Sequence, residues 1–352
     1  MSRIIGSIEL YMGPQQLGAP DDLLKVIVDF IDGAHSSLQI AVQELDSRPI
    51  AEAIVRARQR SVQVKLVVEA DYLRELKARE DPFHAGGERE VNRRLQNAIL
   101  RSNVNVYSDF NPDIFHQKFI VRDSESVLTG SANFTDTDTE ANLNHVVIVH
   151  DPQVARSYSR EFEEIARGHF GKLNEGHDVT PPEVSVSNVR IKPLFAPDHN
   201  PEMEIMKQIA KAGRRVDFAI FTFASSSGID DQMVLAKKSG IDVRGALFTS
   251  QANQFWSAGD TLASAGIKFA LVPRPGLPEP RPRKLHHKLM VIDEQLIIVG
   301  SYNYTHPANF LNDENILVIG DLDSTDADSI ARQKDLAGYA LQEIDRIITD
   351  FA

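Results

Sequence analysis

The residues of this chain best suited to chemistry lie in two similar segments, 115–135 and 285–305. In each segment a histidine and a lysine stand two positions apart, in HQK and in HHK. Side chains two positions apart on a β-strand project from the same face, so an imidazole and an ammonium group point into one site. A Gly-Ser-x-Asn sequence follows and adds a hydroxyl and an amide. Two such sets facing each other form a pocket for a tetrahedral anion, which suits phosphate chemistry.

The two segments are copies within an internal duplication. Seven polar or glycine residues recur at an offset of 170 positions, and Asn142 with Asn312 continues the series without a gap. Dispersed identities at one offset are very hard to obtain by chance, so the chain is predicted to have two related halves. The seven pairs are His116/His286, Lys118/Lys288, Asp123/Asp293, Gly130/Gly300, Ser131/Ser301, Asn133/Asn303 and Thr135/Thr305.

Both halves carry the secondary-structure pattern needed to position these residues. Segments 36–45 and 215–224 are apolar-rich strands, each preceded by an amphipathic helix pattern. Segments 56–71 and 235–250 predict a helix end, a turn and a buried strand. Strands that alternate with helices indicate an α/β fold with mixed or parallel sheets. We therefore expect two lobes related by a pseudo-two-fold axis, each a mixed β-sheet flanked by helices.

The join between the lobes is predicted where periodicity is low and Pro181 and Pro182 are adjacent. The predicted division is a first lobe over 1–175, a linker over 176–185 and a second lobe over 186–352. Upstream of the motifs the halves align at a larger offset, so the first half must hold about nine more residues. The charged stretch 72–96 is the expected place for them.

The duplicated residues closely resemble the signature of the phospholipase D superfamily, H-x-K-x4-D followed by G-S-x-N. Both copies match it completely, from His116 to Asn133 and from His286 to Asn303. A motif that occurs twice with the same internal spacing is highly specific. The tails GSANFT and GSYNYT are similar to the bacterial endonuclease branch of the superfamily. The resemblance implies the two-lobed fold, with the active site at the lobe interface.

The resemblance also implies a metal-independent phosphodiesterase that works through a covalent phosphohistidine. One histidine attacks phosphorus, and the other protonates the leaving oxygen and then activates water. The first-half histidine is usually the nucleophile in two-motif members, so we expect His116 as nucleophile and His286 as general acid/base. Asp123 and Asp293 are expected to be structural. The remaining site residues implied are Lys118, Lys288, Asn133 and Asn303 for the non-bridging oxygens, with Ser131 and Ser301 assisting.

The superfamily places a carboxylate behind the motif to orient its histidine. Glu314 occupies that position in the second half, whereas the matching position in the first half is Asn144. We expect Glu314 to favour a protonated His286 and Asn144 to leave His116 more readily neutral. Glu140 or another acid is the alternative partner in the first half.

Composition limits the classes of function. The chain of 352 residues has a net charge of −12, which argues weakly against nonspecific coating of nucleic acid but permits one basic cleft. It has no cysteine, which excludes a disulfide scaffold and a thiolate metal site. No metal-ligand cluster or nucleotide-binding glycine motif occurs, so we expect neither metal nor cofactor. The longest apolar run, near 218–224, is far below the ~18 residues of a membrane span, which predicts a soluble, cytoplasmic protein.

Nucleic acid, phospholipid and small-molecule transfer compete as substrate classes. A proline-stiffened loop before the second motif carries four basic residues that could contact phosphates beside the scissile one; a solvated connector is the alternative. These residues are Arg274, Arg281, Arg283 and Lys284. The sequence has neither an evident apolar loop that could insert into a bilayer nor a strongly basic face. We therefore expect no stable membrane association. We therefore expect a nuclease acting on DNA or RNA.

The alternative functions are a phospholipase D-type lipid hydrolase or transphosphatidylase and a nuclease activated by a partner. A non-catalytic phosphate-binding module is disfavoured because both candidate nucleophiles are present. Since one chain supplies both motifs, a dimer is not required for the active site. The acidic net charge is compatible with a protein partner that activates the enzyme or delivers its substrate.

Overall fold

The computed structural model describes residues 2–174, 176 and 179–352. Its first sheet has the spatial order β1-β2-β8-β7-β6-β3-β4-β5. Strands β3, β4 and β5 pair in parallel and the other neighbours pair antiparallel, so the sheet is mixed. These strands are β1 (Arg3–Ile5), β2 (Ile8–Gly13), β3 (Ser37–Val42), β4 (Gln63–Glu69), β5 (Asn105–Asp109), β6 (Lys118–Arg122), β7 (Ser126–Gly130) and β8 (Asn142–His150).

The second half repeats this arrangement strand for strand. Its strands are β9 (Val184–Val186), β10 (Val189–Ala196), β11 (Arg215–Ile220), β12 (Asp242–Phe248), β13 (Lys268–Val272), β14 (Lys284–Leu285), β15 (Lys288–Ile292), β16 (Leu296–Gly300) and β17 (Glu314–Ile319). The second sheet has the order β13-β12-β11-β15-β16-β17-β10-β9. Strand β14 leaves this sheet and pairs in parallel with β8 of the first. The predicted pair of mixed sheets is confirmed.

Helices cover the outer faces of the sheets and fill the space between them. Apolar faces of α1, α2 and α3 pack on the first sheet, and those of α6, α7 and α9 pack on the second. The helices are α1 (Leu23–Asp32), α2 (Arg48–Gln59), α3 (Glu90–Arg101), α4 (Asp136–Glu140), α5 (Pro152–Ala166), α6 (Pro201–Ala210), α7 (Gly228–Lys238), α8 (Thr249–Ala252), α9 (Gly259–Ser264), α10 (His306–Phe310) and α11 (Ala327–Phe351). None of the described helices is long and apolar enough to cross a membrane.

A shared hydrophobic core fixes the two halves relative to each other. Helices α5 and α11 contribute apolar side chains to one cluster that includes residues of both sheets. Tyr158 of α5 is fully buried, and its ring meets Phe119 at 5.0 Å and Phe195 at 4.9 Å, edge to face. Aromatic contacts of this kind stabilise a core beyond the area they bury. The motif residues of both halves are therefore held on one rigid support.

The connections between equivalent strands differ in length between the halves. The first half has the longer connection between β4 and β5, where the charged stretch 72–96 lies, and the second half has the longer one between β13 and β15. Val184 and Ser185, placed in the predicted linker, belong to β9. Three residues near the predicted join, Glu175, His177 and Asp178, lie outside the described residues.

Candidate active site

The two histidines reach the site on short segments that cross from one half to the other. The backbone N–H of His116 donates to the carbonyl of Asp313 at 3.0 Å, and that of His286 donates to the carbonyl of Leu143 at 2.9 Å. Phe115 forms a parallel bridge with Asp313, just as β14 pairs with β8. Each histidine is thus fastened to the opposite half of the molecule.

Because of this crossing, each histidine takes its side-chain partner from the opposite half. Nδ1 of His116 lies 2.7 Å from Oε2 of Glu314, and Nδ1 of His286 lies 3.0 Å from Oδ1 of Asn144. The prediction that Glu314 supports His286 and that Asn144 accompanies His116 is therefore wrong, because the partners are exchanged. The motif within one half does not reveal that the chain before its histidine leaves its own sheet.

The motif serines hold these partners in place. Ser301 Oγ donates to Glu314 Oε2 at 2.6 Å and accepts from the backbone N–H of Asn315 at 2.9 Å. Ser131 makes the equivalent donation to Asn144 Oδ1 at 2.7 Å. Both serines are fully buried, so they fix the groups behind the histidines and do not line the pocket.

The two motif lysines lie beneath the histidines, with Lys118 1% and Lys288 2% exposed. Each Nζ donates to the backbone carbonyl of the histidine two residues before it, at 2.8 Å. Burial lowers the pKa of Lys118 to about 8 and, together with the nearby Lys118, that of Lys288 well below its usual value. Among the described residues neither ammonium has a carboxylate within 4.0 Å. This pair of cations is suited to an anionic ligand.

The surroundings of the two histidines oppose protonation of the imidazoles. Burial and the two lysines lower the pKa values of His116 and His286 well below their ordinary value. Burial raises the pKa of Glu314 to about 8, against the opposing effect of Lys118. When Nδ1–H of His116 donates to Glu314, the lone pair of Nε2 is free to act as a base or nucleophile.

A pocket of about 470 Å³ lies between the halves, and five of the thirteen predicted site residues line it. His116, His286, Asn133 and Asn303 line it together with Lys284. The Oδ1 atoms of Asn133 and Asn303 are buried without a hydrogen-bond partner in the described part of the chain. A buried amide oxygen without a partner carries a free-energy cost, which a hydrogen-bond donor on a bound ligand would relieve.

The basic loop before the second motif divides into two parts. Lys284 lines the pocket between the halves. The three arginines, Arg274, Arg281 and Arg283, line a neighbouring hollow. The backbone N–H of Arg283 donates to the carbonyl of Ala141 at 2.9 Å, which ties the loop to the first half beside the pocket. Arg281 is engaged with Glu279 at 3.1 Å, so Arg274 and Arg283 are the more available of the three.

Sequence reasoning missed the walls of the pocket. Gln43 and Phe221 are equivalent, because each backbone N–H donates to the carbonyl of the residue after a motif histidine. The next residues are Glu44 in the first half and Thr222 in the second, so the walls differ in charge. Burial raises the pKa of Glu44 to about 7, helped by nearby carboxylates. The acidic wall carries Glu44, Asp46 and Asp138, whereas the opposite wall carries Phe221, Thr222 and Pro307.

The motif aspartates lie away from the pocket and perform a structural task. The Asp123 carboxylate accepts the backbone N–H groups of residues 35–37, and the Asp293 carboxylate accepts those of residues 213–215. These N–H groups belong to the first residue of β3 or β11 and to the two residues before it. The aspartates therefore anchor the turn that leads into a central strand of each sheet.

Known proteins resemble this chain in sequence. A family model described as "Cardiolipin synthase, PLD-like domain" matches residues 27–166 and 205–332. A phospholipase D of Rickettsia bellii (strain RML369-C) is 30% identical over 139 residues, which cover 40% of this chain and 61% of that protein. A mitochondrial cardiolipin hydrolase of Xenopus laevis is 28% identical over 133 residues, covering 38% and 56%. The chain thus spans less than two thirds of the length of these relatives.

Solved structures share the whole architecture. Phosphatidylserine synthase of Haemophilus influenzae Rd KW20 superposes with a TM-score of 0.67 at 14% identity, covering 99% of this chain and 88% of that one. Polyphosphate kinase of Porphyromonas gingivalis superposes with a TM-score of 0.56 at 15% identity, covering 90% and 45%. At these identities the likeness concerns the fold alone. Since the family model matches both halves, each with its own H-x-K motif, the chain belongs to the phospholipase D superfamily.

Proposed function

We propose that this chain is a metal-independent phosphodiesterase in which His116 is the nucleophile and His286 the general acid/base. The observation that carries the proposal is the pair of buried histidines, each held at Nδ1 from the opposite half, above two buried lysines. The carboxylate on His116 supports the assignment, because phosphorylation of the Nε2 atom makes the ring cationic and Glu314 stabilises that charge.

Two displacements complete the proposed reaction. In the first, Nε2 of His116 forms a bond to phosphorus, the bond to the leaving oxygen breaks, and that oxygen takes the Nε2 proton of His286, which enters this step protonated at both ring nitrogens. In the second, His286 accepts a proton from water, the water oxygen bonds to phosphorus, and the bond to His116 breaks. Lys118, Lys288 and the two motif asparagines stabilise the negative oxygens throughout.

The substrate that we propose first is a nucleic acid strand. Lys284 lies in the pocket, and Arg283 and Arg274 continue the positive charge along the adjoining hollow. A strand with its scissile phosphate between the histidines can place its next phosphates along this loop. The acidic residues Glu44 and Asp46 repel phosphates on the other wall, so the strand is expected to leave over the loop.

A phospholipid is the second candidate substrate. Ile114 lines the pocket and is 46% exposed, and Phe110, a few residues earlier, is 71% exposed. These side chains offer an apolar rim on which an acyl chain could rest. The names of the relatives from Rickettsia bellii and Xenopus laevis, a phospholipase D and a cardiolipin hydrolase, agree with this candidate.

The roles of the two histidines are tested with bis(p-nitrophenyl) phosphate, whose leaving group needs no protonation. We expect His286→Ala to release a burst of nitrophenolate and to retain a covalent adduct by intact mass, because it keeps the nucleophile. His116→Ala should give neither, as it lacks the attacking nitrogen. A burst from His116→Ala and none from His286→Ala would reverse the two roles.

The substrate is tested in EDTA with labelled single- and double-stranded DNA and RNA, and with vesicles of phosphatidylglycerol and cardiolipin. We expect nucleic acid cleavage, and we expect Arg274→Gln combined with Arg283→Gln to raise its KM and weaken its salt dependence. The matched control is hydrolysis of bis(p-nitrophenyl) phosphate, which this double variant should leave unchanged. Lipid hydrolysis without nucleic acid cleavage would replace the first candidate by the second.

A further inference from the structure

The two halves carry their carboxylates at different places behind the pocket. One pair of equivalent positions holds Asn144 in the first half and Glu314 in the second. A second pair, at the same offset of 170, holds Asp138 in the first half and Ala308 in the second. Each half therefore has one carboxylate and one uncharged residue in this region, with the order reversed.

The carboxylate of Asp138 lies close to the ring of His286. Its Oδ2 is 3.7 Å from Nδ1 of His286, the atom that also lies 3.0 Å from Oδ1 of Asn144. The backbone N–H of Asn133 donates to Oδ2 at 2.7 Å, and the side-chain amide of Asn142 donates to Oδ1. Asp138 is only 4% exposed, so its carboxylate is fixed in place before any substrate binds.

The positive groups around His286 oppose protonation of its ring, so a nearby carboxylate strongly affects that protonation. Burial together with nearby positive groups opposes protonation of the ring and lowers its pKa. Those groups are Lys288 of β15, Lys118 of β6, Lys284 of β14 and His116. Asp138 is the one carboxylate within 4.0 Å of the ring in the described part of the chain. Glu44 and Asp46, which follow β3, face Asp138 on the same wall and add negative charge.

We propose that Asp138 is a positioning residue that replaces the carboxylate missing at Asn144, orienting His286 and stabilising its protonated ring. The inference rests on the proposed function, in which His286 must deliver a proton to the leaving oxygen. Asn144 contributes an uncharged oxygen, which orients the ring but carries no negative charge to stabilise its protonated form. The equivalent of Asp138 in the second half is Ala308. His116 needs no carboxylate at that position, because Glu314 contacts it directly.

The test compares substrates that do and do not need an acid. Asp138→Asn preserves the shape of the side chain, and Asn142 can turn its amide to meet it. We expect kcat for a dinucleotide with an alkoxide leaving group to fall about ten- to a hundredfold. The nitrophenolate burst from bis(p-nitrophenyl) phosphate should stay within about twofold. The alkaline limb of the pH–rate profile should move to lower pH, because the ring then loses its proton more easily.

A transplanted carboxylate provides the second test. Asp138→Ala should lower activity on the dinucleotide, and Asp138→Ala with Asn144→Glu should restore most of it, because the double variant rebuilds the arrangement seen around His116. The matched control is Asp136→Asn on the same helix, an exposed acid that does not line the pocket. The control should leave both substrates and the pH profile unchanged.

Two results would overturn the role of Asp138. One is an equal loss with Asp138→Asn on both substrates, and the other is an unchanged alkaline limb. Titration of the His286 ring by NMR gives a readout independent of turnover, with a lower pKa expected in Asp138→Asn than in the wild type. If His286→Ala gives neither a burst nor an adduct, the phosphohistidine proposal fails, and the ring titration in the otherwise wild-type protein still decides whether Asp138 stabilises the protonated His286.

Discussion

At the scale of single residues, the contact between His116 and Glu314 is the most constrained feature of the site. Glu314 is fully buried, and its Oε2 accepts from Ser301 while it faces the imidazole. A buried carboxylate without a proton is costly unless charged or polar groups surround it, which the serine, the imidazole and the lysines do. When Glu314 is ionised, the contact selects the Nδ1–H tautomer of His116 and leaves the lone pair of Nε2 free.

Glu314→Gln should weaken the nucleophile more than it weakens substrate binding. An amide cannot stabilise the cationic phosphohistidine, so we expect kcat to fall by about a hundredfold or more with a smaller change in KM. The substitution also removes a carboxyl whose pKa burial raises to about 8, so the acid limb of the pH–rate profile should move to lower pH. Steady-state kinetics over a pH series, with Glu140→Gln as control, measure both effects. Unchanged kcat and pH profile would contradict the orienting role.

At the scale of elements, the glycine of each G-S-x-N motif permits two strands to approach closely. A Cβ on Gly130 would lie 2.2 Å from the carbonyl oxygen of His145, and a Cβ on Gly300 would lie 2.2 Å from that of Asn315. Gly300 also has a φ of +143°, which L-residues with side chains rarely adopt. The next residue in each motif is the serine that holds the partner of a histidine.

Alanine at these glycines should therefore cost stability and activity together. We expect Gly130→Ala to lower the free energy of unfolding by about 1–3 kcal/mol, and Gly300→Ala to lower it further because of its backbone conformation. Gly338→Ala in α11 is the matched control, since a Cβ there meets nothing within 4 Å and alanine favours a helix. Urea denaturation measures all three. Equal stability of Gly130→Ala and the wild type would show that the strands can separate at little cost.

The limits of the sequence-based predictions also lie at this scale. The duplication was sufficient to predict both mixed sheets and the motif histidines and asparagines of the pocket, because His116 and Asn133 keep their spacing in the second copy. It did not predict that Glu314 contacts His116, because pairing across the halves depends on where the segment before each histidine runs. The basic loop was recognised, but only Lys284 enters the pocket, since chain distance does not determine the path of a proline-rich connection.

At the scale of the whole molecule, a buried polar layer links the halves behind the histidines. On one side of the pseudo-two-fold axis, Asn315 Nδ2 donates to Gln117 Oε1 at 2.7 Å. The equivalent positions hold His145 and His287, whose Nδ1 atoms lie 3.1 Å apart. His145 Nε2 also accepts the backbone N–H of Gly300 at 3.2 Å, so its proton lies on Nδ1 and is donated to His287.

This histidine pair should make stability sensitive to acid. Burial lowers the pKa of both rings, and the nearby Lys288 acts in the same direction; for His287, Arg346 adds to this effect while Glu343 opposes it. The folded state thus keeps both rings neutral, while the unfolded chain takes up protons as the pH falls below about 6.5. The stability that the two neutral rings contribute at neutral pH is lost progressively as the pH falls below that value.

Replacing the pair with its uncharged equivalent should reduce this loss. We expect His145→Asn with His287→Gln to lose about 1–3 kcal/mol less than the wild type between pH 7.5 and pH 5, because two acid-sensitive groups are removed. Urea denaturation at the two pH values measures the difference, and comparing each protein with itself removes any constant change in stability. An identical acid response in both proteins would contradict this origin of the sensitivity.

The crossing of the histidine segments has a consequence for the evolution of a duplicated chain. Two copies of the first half would place an asparagine behind both histidines, and two copies of the second would place a glutamate behind both. Neither homodimer would contain the unlike pair found here. Mutations in one half thus act on the histidine of the other, so the surroundings of the two histidines can diverge separately when both halves are in one chain.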